Sequence, residues 1–137
     1  MGELKTMNTN SIEESFLVKY NPSKTLSKSI ETVDQARSAN MPTLNSLKRL
    51  NEEDAVSLVA LYINELNIEL NIGDKMSMNN INITAIRVIQ KYGFMKLSDI
   101  IFILNKFLDG EIKLYGSISR KDIMGALHDH SERRSMR

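Results

Sequence analysis

The stretch Asp99 to Leu108 constrains the fold of this chain more than any other part of it. Ser98 is placed to cap a helix there. Ile100, Ile101, Phe102, Ile103, Leu104, Phe107 and Leu108 cover nearly the whole circumference of that helix. A helix that is apolar all round must be enclosed by the rest of its chain or by a partner. It is too short to cross a bilayer, which needs about 20 apolar residues, and Asp99 and Asn105 flank its most apolar part. No other stretch comes closer, so no membrane contact is expected.

Helical spacing extends to both sides of this segment. Thr43, just after Pro42, can cap a short helix carrying Leu44, Leu47 and Leu50. Asn51 caps a longer one, with Glu52, Glu53 and Asp54 set against the positive end of the helix dipole and Gly73 as its stop. Its apolar stripe runs through Ala55, Val59, Tyr62, Ile63, Leu66 and Leu70, broadened by Leu58 and Leu61. A third helix is predicted from about Ser77 to Tyr92, burying Met78, Ile81, Ala85, Val88, Ile89 and Tyr92, with Gly93 at its C-terminus. Residues 111 to 119 alternate Ile112, Leu114 and Ile118 around Tyr115-Gly116, as a short extended pair or an ordered loop would. Ser119 and Asp122 resemble a capping box that opens a last helix, with Ile123, Met124, Ala126 and Leu127 inside and a polar end from His128 onward. The fold class is therefore all-α: a compact bundle of about five helices over residues 43–137.

Residues 1–42 read as an extended, partly helical arm. Ser, Thr, Asn and Lys dominate between Lys5 and Ser29, Pro22 and Pro42 punctuate it, and its apolar positions are too few to close a core. Two short helices fit: Ile12 to Tyr20, with Ile12, Phe16 and Tyr20 on one face, and Ser29 to Ser38, with Ile30, Val33 and Arg37. Helices so short are marginal alone and would dock on a partner or on their own domain.

Several chemistries are excluded or disfavoured. With no cysteine there is no disulfide, thiol nucleophile or thiolate metal site, and the polar stretch Met1 to Leu17 has no apolar core of signal-peptide length. A cytoplasmic location in a bacterial host cell, or packaging in a virion, is expected. His128 and His130 are the two histidines, and on a helix they point about 200° apart, so they cannot share a metal. Glu132, one turn after His128, leaves such a site short of ligands; both histidines are expected in a solvated helix end. The acids at 52 to 54 are explained by the helix dipole, and Glu65 and Glu69 by a solvated face. Gly73, Gly93, Gly110, Gly116 and Gly125 stand singly, so no phosphate loop is present. The chain is expected not to be an enzyme and to need no cofactor or metal. Met76, Met78, Met95 and Met124 are better suited to filling gaps in an Ile-rich core than to lining a partner groove.

Formal charge is +1, which creates no global field for nucleic acid. Only residues 111–137 lean basic, with six basic side chains against four acidic. Arg120, Lys121, Arg133 and Arg134 are candidate phosphate contacts there, since a helix opening on Arg-Lys after a hairpin-like segment resembles a winged-helix ending. Asp122, Asp129 and Glu132 mix the sign, and the aromatic interleaving expected of a single-strand binder is missing.

The landmarks between residues 43 and 134 also resemble a family of small helical proteins from phages and mobile elements of the Bacteroidetes. The resemblance rests on Leu44, Ser46 and Leu47; Leu70-Asn71; Met78, Ile81, Ala85, Ile89 and Tyr92; Leu97, Asp99 and Ile100; Gly110; Leu114-Tyr115-Gly116-Ser117-Ile118; Ile123; and Arg133. Two features depart from it: members tend to carry a second glycine between Gly110 and Tyr115, and an acid where Ser119 stands. The layout is distantly similar to phage helicase-loader and replication accessory domains. The family brings no activity to transfer, and the leading reading is an interaction adaptor of a phage or mobile element, in its most specific form a replication accessory, offering Phe16, Leu17 and Tyr20 in the arm and Ile100, Ile103 and Phe107 in the apolar helix to a protein partner, a second copy of the chain included. A virion structural or assembly component with an arm reaching its neighbours is the second reading. A small DNA-binding regulator using the basic C-terminal helix is the third.

Overall fold

Local capping sets where most helices begin. The structure, a computed structural model, describes residues 15–25, 30 and 32–135, with backbone alone at 23, 24 and 133–135. Short helices α1 (Phe16–Lys19), α2 (Pro22–Thr25) and α3 (Val33–Ser38) come first, then α4 (Leu44–Leu50), α5 (Glu52–Glu69), α6 (Met78–Tyr92), α7 (Leu97–Leu108) and α8 (Arg120–Ser135). Thr43 and Asn51 each accept a backbone N–H three residues on, at 3.1 and 3.0 Å, as the sequence predicts, and Ser77 does the same at 3.2 Å. The fold is all-α; among the described residues, pairing outside helices is limited to isolated bridges, Thr43 with Lys96 and Asp74 with Ser117. Residues 111–119 are a loop.

Helix α7 sits at the centre. Packed against it are α3, α5 and α8, so its whole circumference is covered by this chain. Ile100, Ile103 and Phe107, expected to face a partner, are 4%, 2% and 2% exposed and belong to the core. That expectation is corrected by α3: a face that looks unpartnered when only residues 43–137 are considered is closed by the segment before Pro42. Ala36 is fully buried, and its carbonyl accepts from the Ser98 hydroxyl at 2.5 Å. Ser98 therefore does not cap α7. Asp99 takes that place, accepting the Lys96 N–H on Oδ2 at 2.9 Å, while Lys96 Nζ donates to the carbonyls of Arg37 and Ala39 at 2.7 and 3.0 Å. A cation at the C-terminal carbonyls of α3 satisfies acceptors that the helix leaves open.

The rest of the described arm also lies on the domain. Ile12 falls outside the described residues. Phe16, Leu17 and Tyr20 are half-buried against the core, and α1 and α2 pack on α5. The Tyr62 hydroxyl, on α5, donates to the Tyr20 carbonyl at 2.6 Å and is hydrogen-bonded to Thr25, itself buried.

Helices α5 and α6 pack along each other. The loop between them is held by Asn67, whose side-chain amide donates to the Met76 carbonyl at 3.0 Å and accepts the Met76 N–H at 2.9 Å. Met78, expected inside, is 58% exposed because it opens α6 a turn ahead of Ile81, the first position to reach the core. The N–H groups of Leu44 and Asn45 donate to the carbonyls of Met95 and Gly93 at 2.9 and 2.8 Å, so open donors at the start of α4 meet open acceptors after α6. A Cβ at Gly93 would lie 2.1 Å from Asn45 Oδ1 and 2.7 Å from the Ile89 carbonyl oxygen, so a side chain there would displace both.

Candidate nucleic-acid interface

The register of α6 aligns Asn80, Thr84, Arg87 and Lys91 along one stripe beside its core-facing side. Helix α8 packs against α6 and brings Arg120, Lys121 and Met124 to that stripe. Two clefts result, sharing Arg120. One, of about 450 Å³, is lined by Arg87, Gln90, Lys91, Arg120 and Met124. The other, of about 460 Å³, includes Asp74, Lys75, Asn80, Thr84, Ser119, Arg120 and Lys121.

Five cations therefore line these two adjoining clefts, which together make the groove between α6 and α8. Arg87, Lys91, Arg120 and Lys121 are exposed and have no carboxylate at ion-pair distance among the described residues. Lys91 Nζ lies 5.9 Å from the centre of the Tyr92 ring, and Lys75 Nζ donates to the Ile68 carbonyl at 3.2 Å. Of the two acids nearby, Asp74 lines the second cleft, and Asp122 is occupied: its Oδ2 accepts from the Ser119 N–H at 2.9 Å and from the Ser119 hydroxyl at 3.2 Å, the acid half of the predicted capping box. The positive region ends past Lys91. There the Tyr92 phenol has its pKa raised, first by burial and then by the charges of Asp129 and Glu132.

Of the four basic residues singled out in the sequence, Arg120 and Lys121 stand in this groove, and the side chains of Arg133 and Arg134 lie outside the described residues. Lys75, Arg87 and Lys91 were missed. Arg87 and Lys91, four apart on one helix face, give a local signal, but their meeting with Arg120 depends on packing between segments distant in sequence.

His130 corrects another expectation. It does not stand in a solvated end: α8 continues to Ser135, and the imidazole is 3% exposed, its Nε2 2.8 Å from Oδ1 of the fully buried Asp99. The ring centre lies 5.4 Å from that of Phe102, and Nδ1 is buried with no hydrogen-bond partner. His128 is exposed. Among the described residues no three His, Cys, Asp or Glu side chains gather closely enough to hold a metal ion.

No helix among the described residues is long and apolar enough to cross a membrane. Comparison with protein-family models, with curated proteins and with solved structures finds no match.

Proposed function

We propose that the chain is a small nucleic-acid-binding module whose contact face is the groove between α6 and α8. The observation that carries this reading is the convergence of Arg87 and Lys91 from one helix with Arg120 from another on a single cleft, with no carboxylate paired to them among the described residues. Guanidinium groups present planar forks of donors that match phosphate oxygens. From Asn80 to Lys91 the helix rises roughly 16 Å, against one phosphate per strand about every 3.4 Å of duplex axis, so the groove is long enough for several phosphates. Such contacts position a nucleic acid without reading its sequence.

The adaptor reading draws less support, since Ile100, Ile103 and Phe107 are in the core, while Phe16, Leu17 and Tyr20 remain partly exposed where they pack on the same chain.

The test is fluorescence anisotropy of labelled oligonucleotides with the full chain over a range of salt concentrations. Affinity is expected to fall linearly with the logarithm of salt, and Arg87→Ala or Arg120→Ala to reduce that slope by about one each. Absence of binding at low salt would reject the reading.

A further inference from the structure

We propose that the strand held in this groove is single, and that Tyr115 is the platform on which one of its bases stacks. The inference rests on the nucleic-acid reading of the groove and adds the class of ligand. Tyr115 is 91% exposed, the most exposed large apolar side chain among the described residues. Its loop is nonetheless anchored on both sides. Leu114 and Ile112 are half-buried against the core and Ile118 is 5% exposed. The Asp74 N–H donates to the Gly116 carbonyl at 3.0 Å and the Ile118 N–H to the Asp74 carbonyl at 3.4 Å. Gly116 has φ +86°, a left-handed conformation that a side chain would strain, so the turn beside the tyrosine is built in.

Asp74 and Ile118, the residues that anchor this loop, are themselves walls of the groove next to Lys75, Arg120 and Lys121. Tyr115 and Ile118 are three positions apart in the chain, so their Cα atoms are at most roughly 11 Å apart. Tyr115 is thus carried within one short turn of Ile118, a wall of the cationic channel, on a fixed support. A duplex keeps its base faces inside the stack, where a protruding phenol cannot reach them. A single strand offers them freely, and an aromatic platform beside a basic track, which the last helix does not interleave in its own sequence and which the loop before it supplies through Tyr115, is how such strands are held without sequence preference.

DNA and RNA share this chemistry, so the experiment uses labelled oligothymidylate and oligouridylate of about 15 nucleotides, with a duplex of equal length as the third arm. Because Tyr115 is almost wholly in solvent, its substitution leaves the fold intact. Tyr115→Ala is expected to weaken single-strand binding by about tenfold or more and to leave duplex binding unchanged, while Tyr115→Phe retains the wild-type affinity. The arm that shows this dependence on Tyr115 identifies the strand as DNA or RNA. If Tyr115→Ala binds single strands like the wild type while Arg87→Ala/Arg120→Ala does not, the stacking role is overturned and the groove stands. Equal loss on single and double strands overturns it as well. No binding of any probe by the wild type overturns the groove itself.

Discussion

Asp99 and His130, thirty-one residues apart, meet at 2.8 Å where 0% and 3% of their side chains are exposed, and so fasten the last helix to the central one. The carboxylate has a second task, since its other oxygen closes the start of α7 through the Lys96 N–H. Removing the acid leaves an imidazole with both nitrogens unsatisfied and an uncapped helix. Removing the histidine leaves a buried carboxylate short of a donor.

Asp99→Ala is therefore expected to cost about 3–5 kcal/mol and His130→Ala somewhat less, measured by urea unfolding. The double variant should be less destabilised than the sum of the two. Strict additivity would show that the two side chains do not support each other.

Tyr62 governs the alkaline limit. Burial, outweighing its bond to Thr25, pushes the phenol from 10.0 to about 12. Its folded-state pKa lies above the unfolded one, so the contribution is complete below pH 10. It declines as the unfolded chain ionises, and is lost by about pH 12. The loss amounts to about 2–3 kcal/mol. Tyr62→Phe should flatten that limb of the stability curve while costing about 1 kcal/mol at neutral pH through the lost bond to the Tyr20 carbonyl. A wild-type stability that does not fall between pH 10 and 12 would contradict the assignment.

Attachment of the N-terminal segment depends on two side chains of α7 and its cap. Lys96→Ala removes the donor to the Arg37 and Ala39 carbonyls, and Ser98→Ala the donor to Ala36. Each should cost on the order of 1–3 kcal/mol locally and speed hydrogen exchange at the Ala36 and Ala39 amides by about tenfold or more, with the amides of α5 little changed. Uniform acceleration across both helices would mean that the segment does not open separately.

What was legible in the sequence was local. Thr43 and Asn51 cap their helices because the capping oxygen needs only a backbone N–H three residues away, and the stripe of α5 follows from periodicity apart from Leu61, which is exposed. The apolar circumference of α7 correctly demanded enclosure, but could not say by what; the answer, α3, lies in a segment whose polar composition argued for an arm. Ser98 looked like a cap in isolation and instead serves Ala36. His130 sits among Asp129, Ser131 and Glu132, a polar neighbourhood that hides its burial, since its partner is set by tertiary packing. The groove was half legible for the same reason: Arg120 and Lys121 announce themselves as a pair, whereas Arg87 joins them only once α6 and α8 are side by side.

The bond between Ala36 and Ser98 spans sixty-two residues of chain. At roughly 5–20 residues per second of synthesis, Ala36 is made about 3–12 seconds before the surface that will receive it. The segment that closes over the central helix therefore waits as nascent chain through the making of α4 to α6, and Asp34, Gln35, Arg37 and Ser38 among its six residues keep it soluble in the interval. The composition that makes it look like a free arm suits a piece that must be ready first and placed late.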